Sequence, residues 1–173
     1  MLRAIRFLAI VLLFSLPAIL APQGVNAASL EVVKQDLATL DELDRQSAEI
    51  FLELGRIQKT LPLREKLAYC EGDFLGGINA NYASRSRGIG SMLFVRYFLL
   101  EDADEKVLTK VDDVISSLAD DLLDFSEYDL NALKAHEAGL RDGKMRRQSR
   151  RLRQLLRQLR TVLGHYTKPP QKG

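Results

Sequence analysis

The stretch "EKVLTKVDDVISSLADDLLDF", residues 105–125, determines the fold class through the spacing of its apolar residues. Six of them keep strict heptad spacing: Leu108, Val111, Ile115, Leu118, Leu122 and Phe125. Val107 and Val114 lie beside this stripe. Apolar residues that recur at steps of three and four positions share one face of an α-helix, which is buried against other elements. The stretch therefore predicts an amphipathic helix in an all-α domain.

The segments on the N-terminal side continue the helical pattern. Ser29 can cap a helix whose apolar stripe runs to the residue before Pro62, which breaks or kinks it. A second helical pattern runs from Leu63 to Ile78. The run "SMLFVRYFLL", residues 91–100, is apolar on all sides except at two positions, and no strand candidate exists for it to pair with. It is therefore expected to be a buried helix segment.

On the C-terminal side, "SEYD" at residues 126–129 resembles a capping box, so the last helix is expected to begin there. Gly139 and Gly143 predict a kink within it. Its apolar seam consists of Leu130, Leu133, Leu140, Met145, Leu152, Leu155, Leu159, Val162 and Tyr166. Together the patterns predict an up-down four-helix bundle over residues 28–166, followed by a flexible tail at 167–173.

The first 27 residues have the composition of a secretory signal peptide. A basic start is followed by an apolar stretch from Phe7 to Leu16, and Val25 and Ala27 occupy the −3 and −1 positions of a cut before Ala28. An uncleaved membrane anchor is the alternative, because the apolar run extends to Ala21 if Pro17 is tolerated. The sequence therefore predicts an exported protein in the periplasm or the thylakoid lumen, and export argues against a nucleic-acid partner.

Residues 76–90, "GGINANYASRSRGIG", interrupt the helical patterns with four Gly, two Asn and two Ser. The composition predicts an interhelix loop. A sharper interpretation is a contact loop, because binding residues gather on loops held by a rigid scaffold. The candidate contact residues in this segment are Asn79, Asn81, Tyr82, Arg85 and Arg87.

Charge is divided sharply along the chain. Residues 28–140 carry 12 Lys and Arg against 22 Asp and Glu, whereas residues 141–173 carry 11 against one. Within residues 101–129 the net charge is −9. In an antiparallel bundle the basic last helix is expected to lie beside this acidic third helix, so the two can neutralise each other within the fold.

The arginines of the last helix nevertheless exceed what one neighbouring helix can contact. Arg146, Arg150, Arg153, Arg157 and Arg160 form one stripe beside the apolar seam, and Arg147 and Arg151 lie on its far side. Part of this charge is therefore expected to face solvent and to bind an anionic partner by bidentate contacts. An acidic protein surface, a membrane complex and an anionic membrane surface all remain candidate partners.

Arg96 lies among Phe94, Val95, Tyr97 and Phe98 and is expected to be buried or to snorkel, in a structural role. A buried guanidinium needs a carboxylate, and Glu71, Asp73 or an acid of the third helix could supply it.

The sequence carries no recognisable catalytic or metal-binding constellation, so we expect a non-enzymatic protein without a cofactor or metal. His136 and His165 are the only histidines, and neither has a second ligand at metal-binding spacing. Cys70 is the only cysteine, which excludes an internal disulfide and a C-x-x-C-H haem site.

The middle of the chain, roughly residues 60–125, resembles the PsbQ family, extrinsic subunits of photosystem II. "LFVRY" at 93–97, "EDADEK" at 101–106 and "VLTKVDDVISSLADDL" at 107–122 carry the resemblance, and "LPLREKL" at 61–67 is similar to the opening of the family's second helix. The chain departs from the family in the segment between Pro62 and Arg96, in the arginine content of its last helix and in lacking a lipoprotein cysteine. The resemblance implies an exported four-helix bundle that docks on the lumenal face of the complex and stabilises its inorganic cluster and neighbouring subunits.

Two functional hypotheses follow from these patterns. The first is an exported bundle, peripherally associated with a membrane, that docks on and stabilises a membrane-associated complex through its arginine-rich and loop surfaces. The second is a free periplasmic bundle that holds a small ligand or a client protein between its helices, as a binding or chaperone-like protein.

Overall fold

A computed structural model describes residues 29–60, 66–99, 103–140 and 142–167. These residues form four α-helices and no strand: α1 (Leu30–Thr60), α2 (Lys66–Leu99), α3 (Glu105–Glu137) and α4 (Gly143–Gly164). The all-α fold class predicted from the heptad spacing is confirmed. The expected signal peptide at 1–27, the break at Pro62 and most of the expected tail lie outside the described residues.

The four helices pack side by side, each against the next, and α4 also packs against α1. The contacts between α1 and α2 show opposite directions, because Gln58 bonds Asp73 near one end and Asp44 bonds Arg87 further along. The other neighbouring pairs follow the same rule. Between α2 and α3, Arg96 contacts Asp112 and Phe74 contacts His136. Between α3 and α4, Glu137 contacts Arg150 and Glu127 contacts Arg160. Between α1 and the end of α4, Glu49 contacts Arg151 and Asp36 contacts Tyr166.

α2 is continuous through residues 76–90, so the loop predicted there is wrong. As a helix, the segment presents a buried face, because Leu75, Tyr82 and Ile89 follow one another at seven-residue intervals and are fully buried. The intervening Asn79 is also buried, where it accepts from the Ser47 hydroxyl and donates to the Ser47 carbonyl of α1. Packing of this face outweighs the low helix propensity of the glycines, which would favour a loop in isolation.

The boundary between α3 and α4 also differs from the prediction. α3 runs on to Glu137, and "SEYD" at 126–129 lies inside it. Ser126 and Asp129 fall on the buried face of the helix, where the Ser126 hydroxyl donates to the Leu123 carbonyl. The helix instead ends just before Gly139, and Asp142 caps α4 by accepting from the backbone N–H groups of residues 144 and 145.

The core contains most of the seams predicted for α3 and α4, with one correction in α3 and one in α2. Ile115 and Leu122 are buried as expected, but Phe125 is 55% exposed, because the buried face continues through Ser126 instead. The run at 91–100 is not buried on all sides, since Phe94, Val95 and Phe98 are exposed. The predicted seam of the last helix from Leu133 to Tyr166 is buried throughout.

Candidate docking surface on the basic helix

α4 turns a complete apolar seam inward, and this seam fixes the direction of its arginines. Met145, Leu152, Leu156 and Leu159 are fully buried. Because successive residues are about 100° apart on a helix, the arginines that follow these positions are held at the flanks and on the outer surface. The helix therefore presents three groups of arginines with different surroundings.

The first group faces α3 and forms ion pairs with it. Arg153 Nη2 lies 2.5 Å from Glu137 Oε2, and Arg150 Nε lies 3.2 Å from Glu137 Oε1. Arg160 Nη1 lies 2.8 Å from Glu127 Oε2 and also donates to the Leu123 carbonyl at 3.0 Å. The expectation that the basic helix lies beside the acidic third helix is confirmed. Glu137 lies outside the acidic stretch at 101–129, so the neutralisation is centred nearer the end of α3.

The second group faces α1. Arg151 Nη2 lies 3.0 Å from Glu49 Oε2, and its Nη1 donates to Gln148 Oε1 at 3.4 Å. The two flanks of α4 are thus neutralised by two different neighbours, α3 on one side and α1 on the other.

The third group lies on the outer surface. Arg146, Arg147, Arg150 and Arg157 are exposed, and Arg150 remains 68% exposed although it pairs with Glu137. Within the described part of the chain, no carboxylate pairs with Arg147 or Arg157. These two guanidinium groups lie ten residues apart, which corresponds to about 15 Å along the helix. They are charges of α4 that the described part of the fold does not neutralise.

An acidic ridge lies on the exposed side of α3, the helix that packs against one flank of α4. Asp120, Asp121 and Asp124 are exposed there. Asp112 and Asp129 instead turn toward α2, where they bind Arg96 and Arg85. A partner that covers α3 and α4 together would therefore meet charges of both signs.

The candidate contact residues of the segment at 76–90 are separated by the helical geometry of α2. Tyr82 lies in the core, and burial raises the pKa of its hydroxyl. Asn79 is also buried, whereas Asn81 is exposed. Arg85 is largely buried, pairs with Asp129 and lies 4.9 Å from the centroid of the Phe125 ring. Arg87 is 70% exposed and donates through Nε to Asp44 at 3.0 Å.

Arg96 has the carboxylate that its apolar surroundings require. Its side chain is 5% exposed, and its Nε donates to Asp112 Oδ1 of α3. Its Nη2 lies 3.5 Å from the other oxygen of that carboxylate, whereas Nη1 is buried without a partner. The pair fastens the C-terminal end of α2 to the beginning of α3.

A polar cluster that sequence reasoning missed joins α1 to the end of α4. The Tyr166 hydroxyl donates to the buried Asp36 Oδ2 at 2.7 Å, and His165 Nδ1 lies 2.9 Å from the same oxygen. Burial, together with the bond to Asp36, raises the pKa of the Tyr166 hydroxyl. About 130 residues separate the partners in the chain, so no local pattern could have identified them.

The histidines and carboxylates of the described residues form no cluster of metal-binding type. No group of three or more His, Cys, Asp and Glu side chains there could hold a metal ion. His136 packs against the Phe74 ring with centroids 4.4 Å apart. His165 lies beside a small open groove of about 180 Å³ between α1 and α4, which is below the usual size of a small-molecule site.

Searches of protein-family models, of curated proteins and of solved structures returned no match to this chain. None of the described helices is both long enough and apolar enough to cross a membrane.

Proposed function

We propose that this protein is an exported, non-enzymatic helical bundle that docks on and stabilises a membrane-associated complex, with α4 as its docking element. The observation that carries the proposal is the outer surface of α4. Arg147 and Arg157 lie there without a carboxylate from the described residues, although four other arginines of the helix pair with carboxylates of α1 or α3. Exposed guanidinium groups bind carboxylates in a bidentate geometry and attract anionic surfaces over a distance.

An acidic protein surface fits this element better than a lipid surface. A flat anionic membrane that approached α4 would also meet the exposed Asp120, Asp121 and Asp124 of α3, which it would repel. A folded partner can present acidic groups to the arginines alone. The same argument disfavours nucleic acid, whose continuous phosphate charge could not avoid the acidic ridge.

Two sequence features support the cellular setting of the proposal. The N-terminal segment has the order of a signal peptide cut before Ala28, which supports a location in the periplasm or the thylakoid lumen. The resemblance to the PsbQ family over roughly residues 60–125 suggests an extrinsic subunit of photosystem II as one specific form of this role. Of the Arg96–Tyr97 dipeptide that contributes to the resemblance, Arg96 forms a buried ion pair with Asp112 in this protein, so it supplies no docking group.

Rebinding to salt-washed membranes tests the proposal. Arg147→Glu combined with Arg157→Glu should reduce membrane-associated protein by about tenfold or more, since each reversal replaces an attraction with a repulsion. Wild-type binding should fall steeply between low and physiological salt, because exposed charges are screened over about 8–10 Å. Arg45→Glu combined with Arg56→Glu makes the same change in net charge on exposed positions of α1 and is the matched control.

A loss of membrane binding supports the proposal only if the variant is still folded. Both double variants should retain the circular dichroism spectrum and the thermal transition of the wild type, because neither changes the apolar seam. Equal loss of binding in the two variants would show that only net charge matters and would contradict a specific surface on α4. Purely soluble behaviour of the wild type would favour the free periplasmic binding protein instead. Salt-independent retention on the membrane would contradict docking through exposed charges and would favour the uncleaved membrane anchor.

A further inference from the structure

The α1–α2 side of the bundle, away from α3 and α4, carries large apolar side chains in a symmetric arrangement. The Asp44–Arg87 ion pair marks its centre, where it crosses from α1 to α2. Phe51 follows Asp44 by seven residues on α1, and Phe94 follows Arg87 by seven residues on α2, so each lies on the same helix face as the charged residue before it. Because the helices are antiparallel, the two Phe side chains lie on opposite sides of the pair, each about 10 Å from it.

These apolar side chains are exposed to an extent that the fold does not require. Phe51 is 62% exposed and its neighbour Leu52 58%, while Phe94 is 40% exposed and Phe98 57%. The rings of Phe94 and Phe98 contact each other edge to face with centroids 4.5 Å apart, so they form one continuous apolar spot. Large exposed apolar spots on a soluble surface mark interaction sites.

Phe51 and Leu52 form one apolar spot, and Phe94 and Phe98 form the other. Between these two spots the protein surface is recessed, because α2 presents small exposed residues there. They are Gly77, Ala80, Ser84, Gly88 and Ser91. A Cβ atom added at Gly77 or Gly88 would meet no atom within 4 Å, so no described residue covers these positions. A second helix could approach this surface closely.

Charge on this face is divided between the helices in a self-complementary way. Asp44, whose side chain is 27% exposed, lies on α1, and Arg87 lies on α2. Arg87 donates to Asp44 through Nε, and its side chain remains 70% exposed. A surface that carries an acid on one helix and a base on the other can bind a copy of itself, because a twofold rotation brings the acid of each copy onto the base of the other.

We propose that the α1–α2 face is the interface of a symmetric homodimer, in which a twofold axis parallel to the bundle lays α1 of each copy on α2 of the other. In this arrangement Arg87 of each copy reaches Asp44 of the second copy. Phe51 of each copy packs over the recessed surface around Gly77 and Ala80 of the other. The proposal concerns a second copy of this chain as the occupant of the face.

The size of the face is sufficient for such a dimer. α1 contains 31 residues and is therefore about 45 Å long. Two neighbouring helices about 10 Å apart give a width of about 20 Å. The projected area of the face, its length times its width, is therefore about 900 Å² on each copy. A stable protein–protein interface needs about 800 Å² on each partner.

This inference does not depend on the proposed docking function. It uses α1 and α2, whereas the proposed docking surface lies on α4, which stays uncovered in the dimer. A dimer would present two such surfaces and so raise the avidity for a complex with two acidic sites.

Sedimentation equilibrium of the purified full chain at concentrations from about 1 to 200 µM tests the proposal. The wild type should be dimeric in the upper part of this range. Phe51→Glu and Phe94→Glu should each raise the dimer dissociation constant by about tenfold or more, because each buries a charge in an apolar contact. Tyr128→Glu makes the same kind of change at an exposed aromatic residue of α3 and should leave the constant unchanged.

A charge-reversal pair tests the central contact. Arg87→Glu alone and Asp44→Lys alone should each weaken self-association, because each places like charges across the interface. An equimolar mixture of the two variants should associate, because the acid and base of different copies then face each other. Circular dichroism and thermal melting check that every variant is folded.

Three outcomes would overturn the proposal. One is a wild-type chain that stays monomeric up to about 200 µM. Another is a dimer that is insensitive to Phe51→Glu and Phe94→Glu, which would place the contact elsewhere, for example in the N-terminal apolar segment. The third is a mixture of the two charge variants that associates no better than either alone.

Discussion

At the scale of single residues, the Arg96–Asp112 pair is asymmetric, and the asymmetry is measurable. Arg96 is 5% exposed, whereas the Asp112 side chain is 32% exposed. Asp112→Ala leaves a buried guanidinium without a partner and should lower the free energy of unfolding by about 3 kcal/mol. Arg96→Met leaves a carboxylate that water can reach and should cost less, about 1 kcal/mol. Urea unfolding followed by circular dichroism measures both.

The double variant is the control for this prediction. Arg96→Met combined with Asp112→Ala removes both charges, so its cost should be smaller than the sum of the two single costs. Equal losses in the free energy of unfolding for the two single variants would contradict the asymmetry of the pair. A loss in the double variant equal to the sum of the two single losses would show that Arg96 and Asp112 do not stabilise the contact between α2 and α3 as a pair.

At the scale of the element, the continuity of α2 makes a prediction about its glycines. Gly77 is exposed and has open space where a Cβ would be placed. Gly77→Ala should therefore stabilise the protein by about 0.5–1 kcal/mol, because alanine loses less backbone entropy in a helix. The midpoint of urea unfolding should rise accordingly. A loop at this position would give no such gain, so a neutral result would contradict the helix.

Gly72→Ala is the matched variant in the same helix. A Cβ there would lie 2.5 Å from Gln58 Nε2, and Gln58 donates to Asp73 at 2.9 Å. The side chain would have to move and give up this bond, so the gain in helix propensity should be cancelled or reversed.

At the scale of the whole molecule, the arginines of α4 have two separable roles: some stabilise the bundle through ion pairs with α3, and the exposed ones serve docking. Arg153 and Arg160 are less than half exposed and bind Glu137 and Glu127 of α3. Their reversal to Glu places like charges between packed helices and should lower the free energy of unfolding by about 1–2 kcal/mol. High salt should reduce the difference from the wild type. Reversal of Arg147 and Arg157 should leave the thermal transition unchanged.

Comparing the stability of the variant reversed at 153 and 160 with that of the variant reversed at 147 and 157 separates the two roles. Unfolding caused by changes at 147 and 157 would mean that the charge of α4 holds the bundle together. Unchanged stability after reversal at 153 and 160 would mean that the internal ion pairs contribute little.

The sequence by itself determined that the chain folds as an all-α domain and which faces of α3 and α4 are mostly apolar. Heptad spacing and the seam from Leu133 to Tyr166 are local properties, because a residue's position on a helix depends only on its number in the chain. The same reasoning predicted that the basic helix would lie beside the acidic one, and it identified Arg96 as a residue that needs a carboxylate.

Only the tertiary structure decided where the helices end and which charges remain free. Residues 76–90 and 126–129 have the local preferences of a loop and of a helix start, but they form helix because packing across the bundle stabilises their buried faces. The separation of Arg147 and Arg157 from their paired neighbours depends on Glu49, Glu127 and Glu137. Those partners are brought to α4 by the antiparallel register of the bundle, which the chain's local pattern does not encode.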